Sequence, residues 1–461
     1  MRAASALGAY AAALVIALTW PFMVPGEAFA LRDMVVVPEM ALTHAALGFG
    51  DLPARNVPQD AVLALVPWPV LAARAIVIGS ACAAAYAGFR AGTSTFGRAA
   101  AMTVAVWNPF VVERLLQGQW SLAAAAWLVP FIALAARGIG PIVGSWVASL
   151  TPTGALAALA LARTRGQALA CALCCAPWVI AGFLATGTGT ASPASSTAFA
   201  PRAERWVGTL GAMAGLGGIW NAEASPASRG AGFAVFGVVL AIVLAGGWRA
   251  VSPRLRVLAV VGFALAVASW LGLVGLVIGW LPGAGLLRDG QKWLILAIPA
   301  FVSAAGALRP RVAAVACACA LLQVPDAPAA VSQLRPARVE LPAIDDRGRD
   351  VLFVDRPGLL SRADGVPVVD PATKAFNVVE SGELRIDARV VDAPSPRWQA
   401  AQARPGDLDY LADLGIGVVV YPDGRVVVTG APARGPEPVG LALLALWCVA
   451  PLASRLKLTK D

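Results

Sequence analysis

The 461-residue chain is 58% hydrophobic and only 14% charged, with a mean hydropathy of +0.71 and a formal net charge of +9. A soluble globular protein carries about 25% charged residues, so an ordinary soluble chain is excluded. Residues 325–436 hold 13 Lys+Arg and 16 Asp+Glu, while the rest of the chain holds 23 and 11. The basic excess therefore sits in short loops between apolar runs, which is the pattern of membrane topology and not of a nucleic-acid groove.

A bilayer crossing takes about 20 mostly apolar residues. In chain order the apolar runs are 5–23, 69–89, 99–112, 119–136, 167–185, 230–248, 257–279, 293–308, 312–324 and 439–453. Residues 139–162 are interrupted by Thr151-Pro152-Thr153-Gly154 and read as two short helices forming a hairpin, which brings the total to about twelve membrane segments. The predicted fold is a polytopic α-helical membrane protein with a small extracytoplasmic α/β domain. Residues 1–324 form the transmembrane module, 325–436 the domain, and 437–461 a final membrane helix with a basic cytoplasmic tail.

Loop charge sets the orientation. The inner side takes Arg2, Arg90, Arg98, Arg137, Arg163, Arg165, Arg249, Arg254, Arg256, Arg309, Arg311, Arg455, Lys457 and Lys460, with Asp461 as its one acid. Glu27, Asp33, Glu39, Asp51, Asp60, Glu113, Glu204, Glu223, Asp289 and Glu437 fall outside, as does the 325–436 domain. The chain is thus expected in the plasma membrane with both termini cytoplasmic and its acid–base chemistry on the outer face. Ala28-Phe29-Ala30 after the first run imitates a signal-peptidase site, and the following loop faces outward whether or not it is cut.

Three outer segments stand out. The first loop, 24–68, has Val-rich and Ala/Leu-rich patches that predict amphipathic helices lying on the membrane surface. Residues 186–229 are rich in Gly, Ser, Thr and Ala, with a short helix predicted at Arg202–Trp206, and read as a linker in preference to a lid. Leu281–Trp293 brings Arg288 and Lys292 to the membrane boundary. In the domain, 350–354, 388–391, 416–420 and 426–429 read as strands, the last two as a hairpin through Tyr421–Arg425, with a helix at Leu408–Leu414. The domain has no Walker loop, DxD motif or Ser/His pair, which predicts an accessory or carbohydrate-binding role.

Residue types narrow the chemistry. His44 is the one histidine, so no His-based metal site, triad or relay exists. Cys171-x-x-Cys174-Cys175 lies in a membrane run and reads as small helix residues, with no metal site expected. An enzyme on the outer face works without nucleotide sugars or ATP, and its substrates arrive through the lipid phase. Glycosyl transfer from a polyprenyl-phosphate sugar needs one carboxylate to take the acceptor proton and cations to steady the leaving phosphate. Asp33 in the first loop, with Arg288 and Lys292 in the last short loop, supplies that set. Arg and Lys at helix ends also serve as interfacial anchors.

Arg32-Asp33-Met34, Gly48-Phe49-Gly50-Asp51, Asn56-Val57-Pro58 and Pro67 resemble the long first outer loop of GT-C superfamily glycosyltransferases, notably the actinobacterial cell-envelope arabinofuranosyltransferases. Leu287–Trp293 is similar to their Leu-Arg-x-x-His-Lys-Phe segment, with Gln291 in place of His and Trp293 in place of Phe. Trp107–Trp120 also looks like a segment of such envelope proteins. The resemblance covers about the first 310 residues, and those enzymes carry far larger carbohydrate-binding modules. It implies a GT-C-like module with Asp33 as general base, Glu39 and Asp51 in reserve, and Arg288, Lys292, Arg74 and Arg55 on the donor phosphate. Asp289 either positions Lys292 or holds a divalent cation, the one cofactor left open. Asp60 is expected to cap a helix, and Glu113 and Arg114 either face the cavity or pair with each other.

The partners implied are a polyprenyl-phosphate sugar donor (arabinofuranose or mannose), a glycan acceptor and membrane lipid, with no nucleic acid. A transporter or flippase for lipid-linked glycans predicts mid-membrane charges and inverted repeats, neither of which is visible. A non-catalytic scaffold of the same architecture is the third reading. An acyltransferase is set aside, because His44 is not followed by a His-x4-Asp arrangement.

Overall fold

The structure is a computed structural model that describes residues 2–136, 138–184, 193–278, 284–386 and 389–456. Arg137, Lys457, Lys460 and Asp461, the first residues of the 186–229 segment, and Leu281 lie outside the described residues. The chain is mostly helical. Among the described residues, seven helices are long and apolar enough to cross a membrane: Ala4–Phe22, Pro69–Ala91, Thr95–Leu116, Arg165–Leu184, Pro253–Trp270, Pro310–Leu334 and Pro438–Arg455. Five shorter apolar helices, Trp120–Leu134, Ile139–Ala148, Pro152–Leu161, Val235–Ala245 and Gln291–Gly306, occupy the remaining apolar runs. Residues 139–161 thus form two ten-residue helices, the second opened by Pro152 at its first turn, where a missing N–H costs nothing.

Six of the seven long helices are 28–39% buried, with apolar faces turned outward, whereas Thr95–Leu116 is 94% buried and forms the axis of the bundle. Small residues allow that packing: a Cβ on Gly88 would lie 2.5 Å from the Met102 backbone, so the second helix rests directly on the axis. The axis is two helices in line. Trp107 leaves helical geometry, and Asn108 starts the second helix by accepting the Val111 N–H at 3.0 Å, with Pro109 following at the first helical position. At the bundle end remote from the domain, Arg163 and Arg254 donate to the last carbonyls of the helices ending at Leu134 and Leu161. There they complement the negative helix terminus. The seven cysteines are free thiols, and Cys171, Cys174 and Cys175 are buried along one helix.

The first outer loop is not a pair of surface helices. Phe29–Leu31 and Met34–Val36 form an antiparallel hairpin, paired Phe29↔Val36 and Leu31↔Met34, with Arg32-Asp33 as its two-residue turn. Every strand residue is buried, so the Val-rich patch shows neither helical nor alternating polarity. Arg32 takes a positive φ of 47°, as such a tight turn demands. The loop's one α-helix, Gln59–Leu65, is short. Asp60 does not cap it; its carboxylate accepts from Lys374 Nζ at 2.6 Å in a buried pair.

The 325–436 region carries a four-stranded sheet in the order Val426–Val428, Ile416–Val420, Asp350–Phe353, Asn377–Val378, with the central pair parallel and the first pair a hairpin. Leu408–Asp413 is helical and Gly415 follows at φ 72°, as its position after the helix requires. Strands Leu359–Ser361 and Pro367–Val369 form a side ribbon that meets the first loop. The Arg32 N–H donates to Pro367 O at 2.9 Å and the Val369 N–H to Arg32 O at 3.0 Å. Ala28, Ala30, Val35, Val37 and Val368 share one apolar cluster. Asp51–Arg397 at 3.3 Å and His44 N to Asn377 Oδ1 at 2.9 Å extend the junction.

The 186–229 segment is likewise not a linker where it is described. Short helices Pro193–Ala198, Gly208–Ala214 and Ala227–Ala231 pack against the bundle. Arg202–Trp206 is not helical: Glu204 bridges Gly208 in a tight turn and forms a fully buried pair with Arg229. Its many small residues serve close packing. A Cβ on Gly217, for instance, would meet the Arg229 guanidinium.

Candidate functional site

The hairpin turn places Asp33 against the end of the axial helix. The Asp33 N–H donates to Gln117 O at 3.2 Å. Gly118 lies under the turn at φ 83°, and a Cβ there would stand 2.3 Å from Leu31 O and Met34 N, so only glycine permits this seat. The Asp33 carboxylate accepts from Gln117 Nε2 at 3.3 Å and Gln119 Nε2 at 3.1 Å. Its side chain is reached by solvent although protein surrounds it. Burial raises its pKa above the ordinary carboxylate value, partly offset by the two amides.

From Asp33 the contacts run inward. Gln119 Oε1 accepts from Arg114 at 2.7 Å. Arg114, fully buried, reaches across to Asp289 through both terminal nitrogens, the second at 2.9 Å, and also donates to Gln291 Oε1. Gln291 Nε2 donates to Glu113 Oε2 at 3.3 Å and to Leu216 O at 3.2 Å. Glu113 further accepts the N–H groups of Gly218 at 3.3 Å and Ile219 at 3.0 Å. Glu113 and Arg114 therefore do not pair with each other. They point to opposite partners, joined through the Gln291 amide.

This network fixes the loop that carries Lys292. Asp289 also accepts the Lys292 N–H; burial pushes its carboxyl up, but Arg114 more than offsets this and the net shift is downward. Both its oxygens are engaged by Arg114, which ties the Lys292 loop to the axial helix. No cluster of three metal-ligating side chains is present among the described residues. Lys292 lies beside the Trp293 ring, its Nζ 5.7 Å from the centroid, with Asp289, Arg114 and Arg288 as its charged surroundings.

The other candidates separate. Arg288 and Arg55 converge on Asp392 of the C-terminal domain, at 2.8 Å and 3.8 Å. Arg288 also lies over the Phe199 ring at 4.3 Å. Arg55 feels the charges of Asp33 and Glu380 as well, so it bridges hairpin tip and domain. Arg74 is not part of this group: it donates to Phe22 O and Gly26 O at the base of the hairpin. Glu39 is exposed and distinct from the network. Asp51 is held by Arg397 and by the Glu380 N–H at 3.2 Å, a junction contact.

Sequence reasoning missed Gln117, Gln119, Asp392, Lys374 and Glu380. Glu380 is the notable one. Burial, reinforced by Asp51 and opposed by Lys374 and Arg55, raises its pKa to about 7. Between the ordinary value of 4.5 and about 7, the folded protein keeps a proton that the unfolded chain releases. Folding stability therefore falls as pH rises through that window and levels off above it. Allowing for partial solvent access, the loss is of order 2 kcal/mol. Glu380→Gln is expected to flatten the decline between pH 5 and 8, as read by thermal unfolding in detergent; an unchanged slope would show that Glu380 is ionised throughout.

Comparison with family models, with curated proteins and with solved structures finds no match.

Proposed function

We propose that the chain is an inverting GT-C-like glycosyltransferase. In this reading it transfers arabinofuranose or mannose from a polyprenyl-phosphate donor to a cell-envelope polysaccharide or lipoglycan on the outer face of the plasma membrane. One observation carries it. Asp33 is tied through Gln119 and Arg114 to Asp289, three residues before Lys292, so a solvent-reached carboxylate and a buried ammonium are held by one hydrogen-bonded framework.

The chemistry follows from that arrangement. An acceptor hydroxyl gives its proton to Asp33 as its oxygen bonds to the anomeric carbon. The bond from that carbon to the phosphate oxygen breaks, and the electron pair leaves on the phosphate. Lys292 offsets the new charge, and Arg55 and Arg288, which share Asp392, are the cations a donor phosphate would draw away from it. A single displacement inverts the anomeric centre, so no second carboxylate is needed as nucleophile. The C-terminal domain, which supplies Asp392, Glu380 and Lys374 beside the hairpin tip, serves the acceptor side.

The test uses the full chain in liposomes with polyprenyl-phosphoryl arabinofuranose, labelled in the sugar, and an arabinan oligosaccharide; the mannosyl donor is run in parallel. The expected result is labelled oligosaccharide and one equivalent of polyprenyl phosphate. Intact labelled lipid appearing in the opposite leaflet would replace the proposal with a transporter. Neither outcome with either donor would leave a scaffold.

A further inference from the structure

A cavity of about 640 Å³ opens at the other end of the hairpin and shares none of the Asp33 network. Pro25, Glu27 and Pro38 line it from the hairpin base, and Pro67, Trp68, Pro69, Leu71 and Arg74 from the start of the helix Pro69–Ala91 and the two residues before it. It lies where the apolar helix Ala4–Phe22 ends and the apolar helix Pro69–Ala91 begins, at one membrane boundary. Trp68 is 69% exposed and Leu71 59% exposed, so the outer rim presents an aromatic ring and an aliphatic side chain to the surroundings. Tryptophan favours that depth in a bilayer, where its ring is apolar and its N–H can be wet.

Arg74 supplies the charge. A guanidinium has five N–H donors, and Arg74 places one from each terminal nitrogen on Phe22 O at 3.3 Å and Gly26 O at 3.0 Å. It also lies over the Phe29 ring at 5.3 Å. Those contacts fix the plane of the group and leave donors without a protein acceptor at the cavity. Four prolines in the lining keep the walls rigid. A rigid cavity of this size, with an oriented guanidinium inside and apolar side chains at its mouth, matches a phosphate head with acyl chains running outward.

We propose that this cavity binds an anionic glycerophospholipid, its phosphate on Arg74 and its acyl chains along Trp68 and Leu71. The lipid pins the first two membrane helices to the base of the hairpin whose tip carries Asp33. Glu27, next to the Gly26 carbonyl that Arg74 holds, also lines the cavity and so favours a single anionic charge and a hydroxylated head, as in phosphatidylglycerol.

The test is native mass spectrometry of the full chain released from a neutral detergent, titrated separately with dioctanoyl phosphatidylglycerol, dioctanoyl phosphatidylcholine, undecaprenyl phosphate and inorganic phosphate. The expected result is one tightly held phosphatidylglycerol, at least tenfold preferred over phosphatidylcholine. Arg74→Gln should weaken it at least tenfold and Arg74→Lys less, while inorganic phosphate alone leaves no adduct. Trp68→Ala, a change at an exposed site that spares the fold, should weaken retention several-fold. Equal retention of the two glycerolipids, or phosphatidylglycerol binding unchanged in both Arg74→Gln and Trp68→Ala, would overturn the proposal. Arg74-dependent binding of undecaprenyl phosphate with none of phosphatidylglycerol would also overturn it, by making the cavity a polyprenyl site.

Discussion

Arg114→Met is expected to destabilise the folded chain by about 3–5 kcal/mol, the cost of leaving a buried charge without its partner. Arg114 is fully buried, and its two terminal nitrogens serve Asp289, Gln291 and Gln119 together. Methionine fills a similar volume but leaves the Gln291 oxygen without its Arg114 donor and the Asp289 carboxylate with the Lys292 N–H in place of a guanidinium. Such a loss is a large share of the 5–15 kcal/mol that a typical domain has. The checks are thermal unfolding in detergent and the fraction of monodisperse protein. Asp289→Leu made together with Arg114→Met should recover part of the loss, because removing both charges is much less costly than removing one. A single variant within about 1 kcal/mol of the parent would show that water reaches Asp289 and that the buried framework is not what holds the Lys292 loop.

Asp33→Asn is expected to abolish sugar transfer, by about 10²- to 10⁴-fold in kcat, while leaving thermal stability within about 0.5 kcal/mol. Asparagine keeps the shape, and its oxygen still accepts from the Gln117 and Gln119 amides. What it cannot do is take a proton. Asp33 has a raised pKa because burial disfavours its anion, so transfer should climb with pH through a midpoint above the usual carboxylate range. Gln119→Leu removes an amide that favours the anion, and that limb should move further up. Glu39→Gln should leave transfer unchanged, since Glu39 is exposed and apart from the network. Full activity in Asp33→Asn would assign the proton transfer to another group.

The outlines of the fold were legible where the signal is local. Apolar runs, the Thr151–Gly154 interruption and the Tyr421–Arg425 turn each act within a few residues, and the structure has helices or strands at those places. The Val35–Val37 stretch misled because both faces of a short strand are buried, which erases the alternation that marks a half-exposed strand. Asp60 has a helix-start context, and only its partner Lys374, distant in the chain, reveals its role. Of the site, Asp33 and the 288–292 loop were readable as chemistry. Their connection was not: Gln119 reaches Asp33 across 86 residues and Arg114 reaches Asp289 across 175. Glutamine and buried arginine carry no pattern that announces such partners. Gly118 offered the one sequence signal, a glycine between two glutamines, four residues after Arg114.

The hairpin that bears Asp33 is hydrogen-bonded to a strand that follows it by 335 residues, from Arg32 to Pro367, and His44 likewise waits 333 residues for Asn377. The early loop is therefore synthesised long before that part of its support exists. Its Val-rich strands must remain unaggregated through the synthesis of ten more apolar helices. A chain halted before the C-terminal domain would keep Asp33 on Gln117 and Gln119 but leave the Arg32 side of the turn without its Pro367 and Val369 partners. The turn that carries the proposed proton acceptor is thus clamped from two sides, by residues 117–119 at one time in synthesis and by residues 367–369 much later.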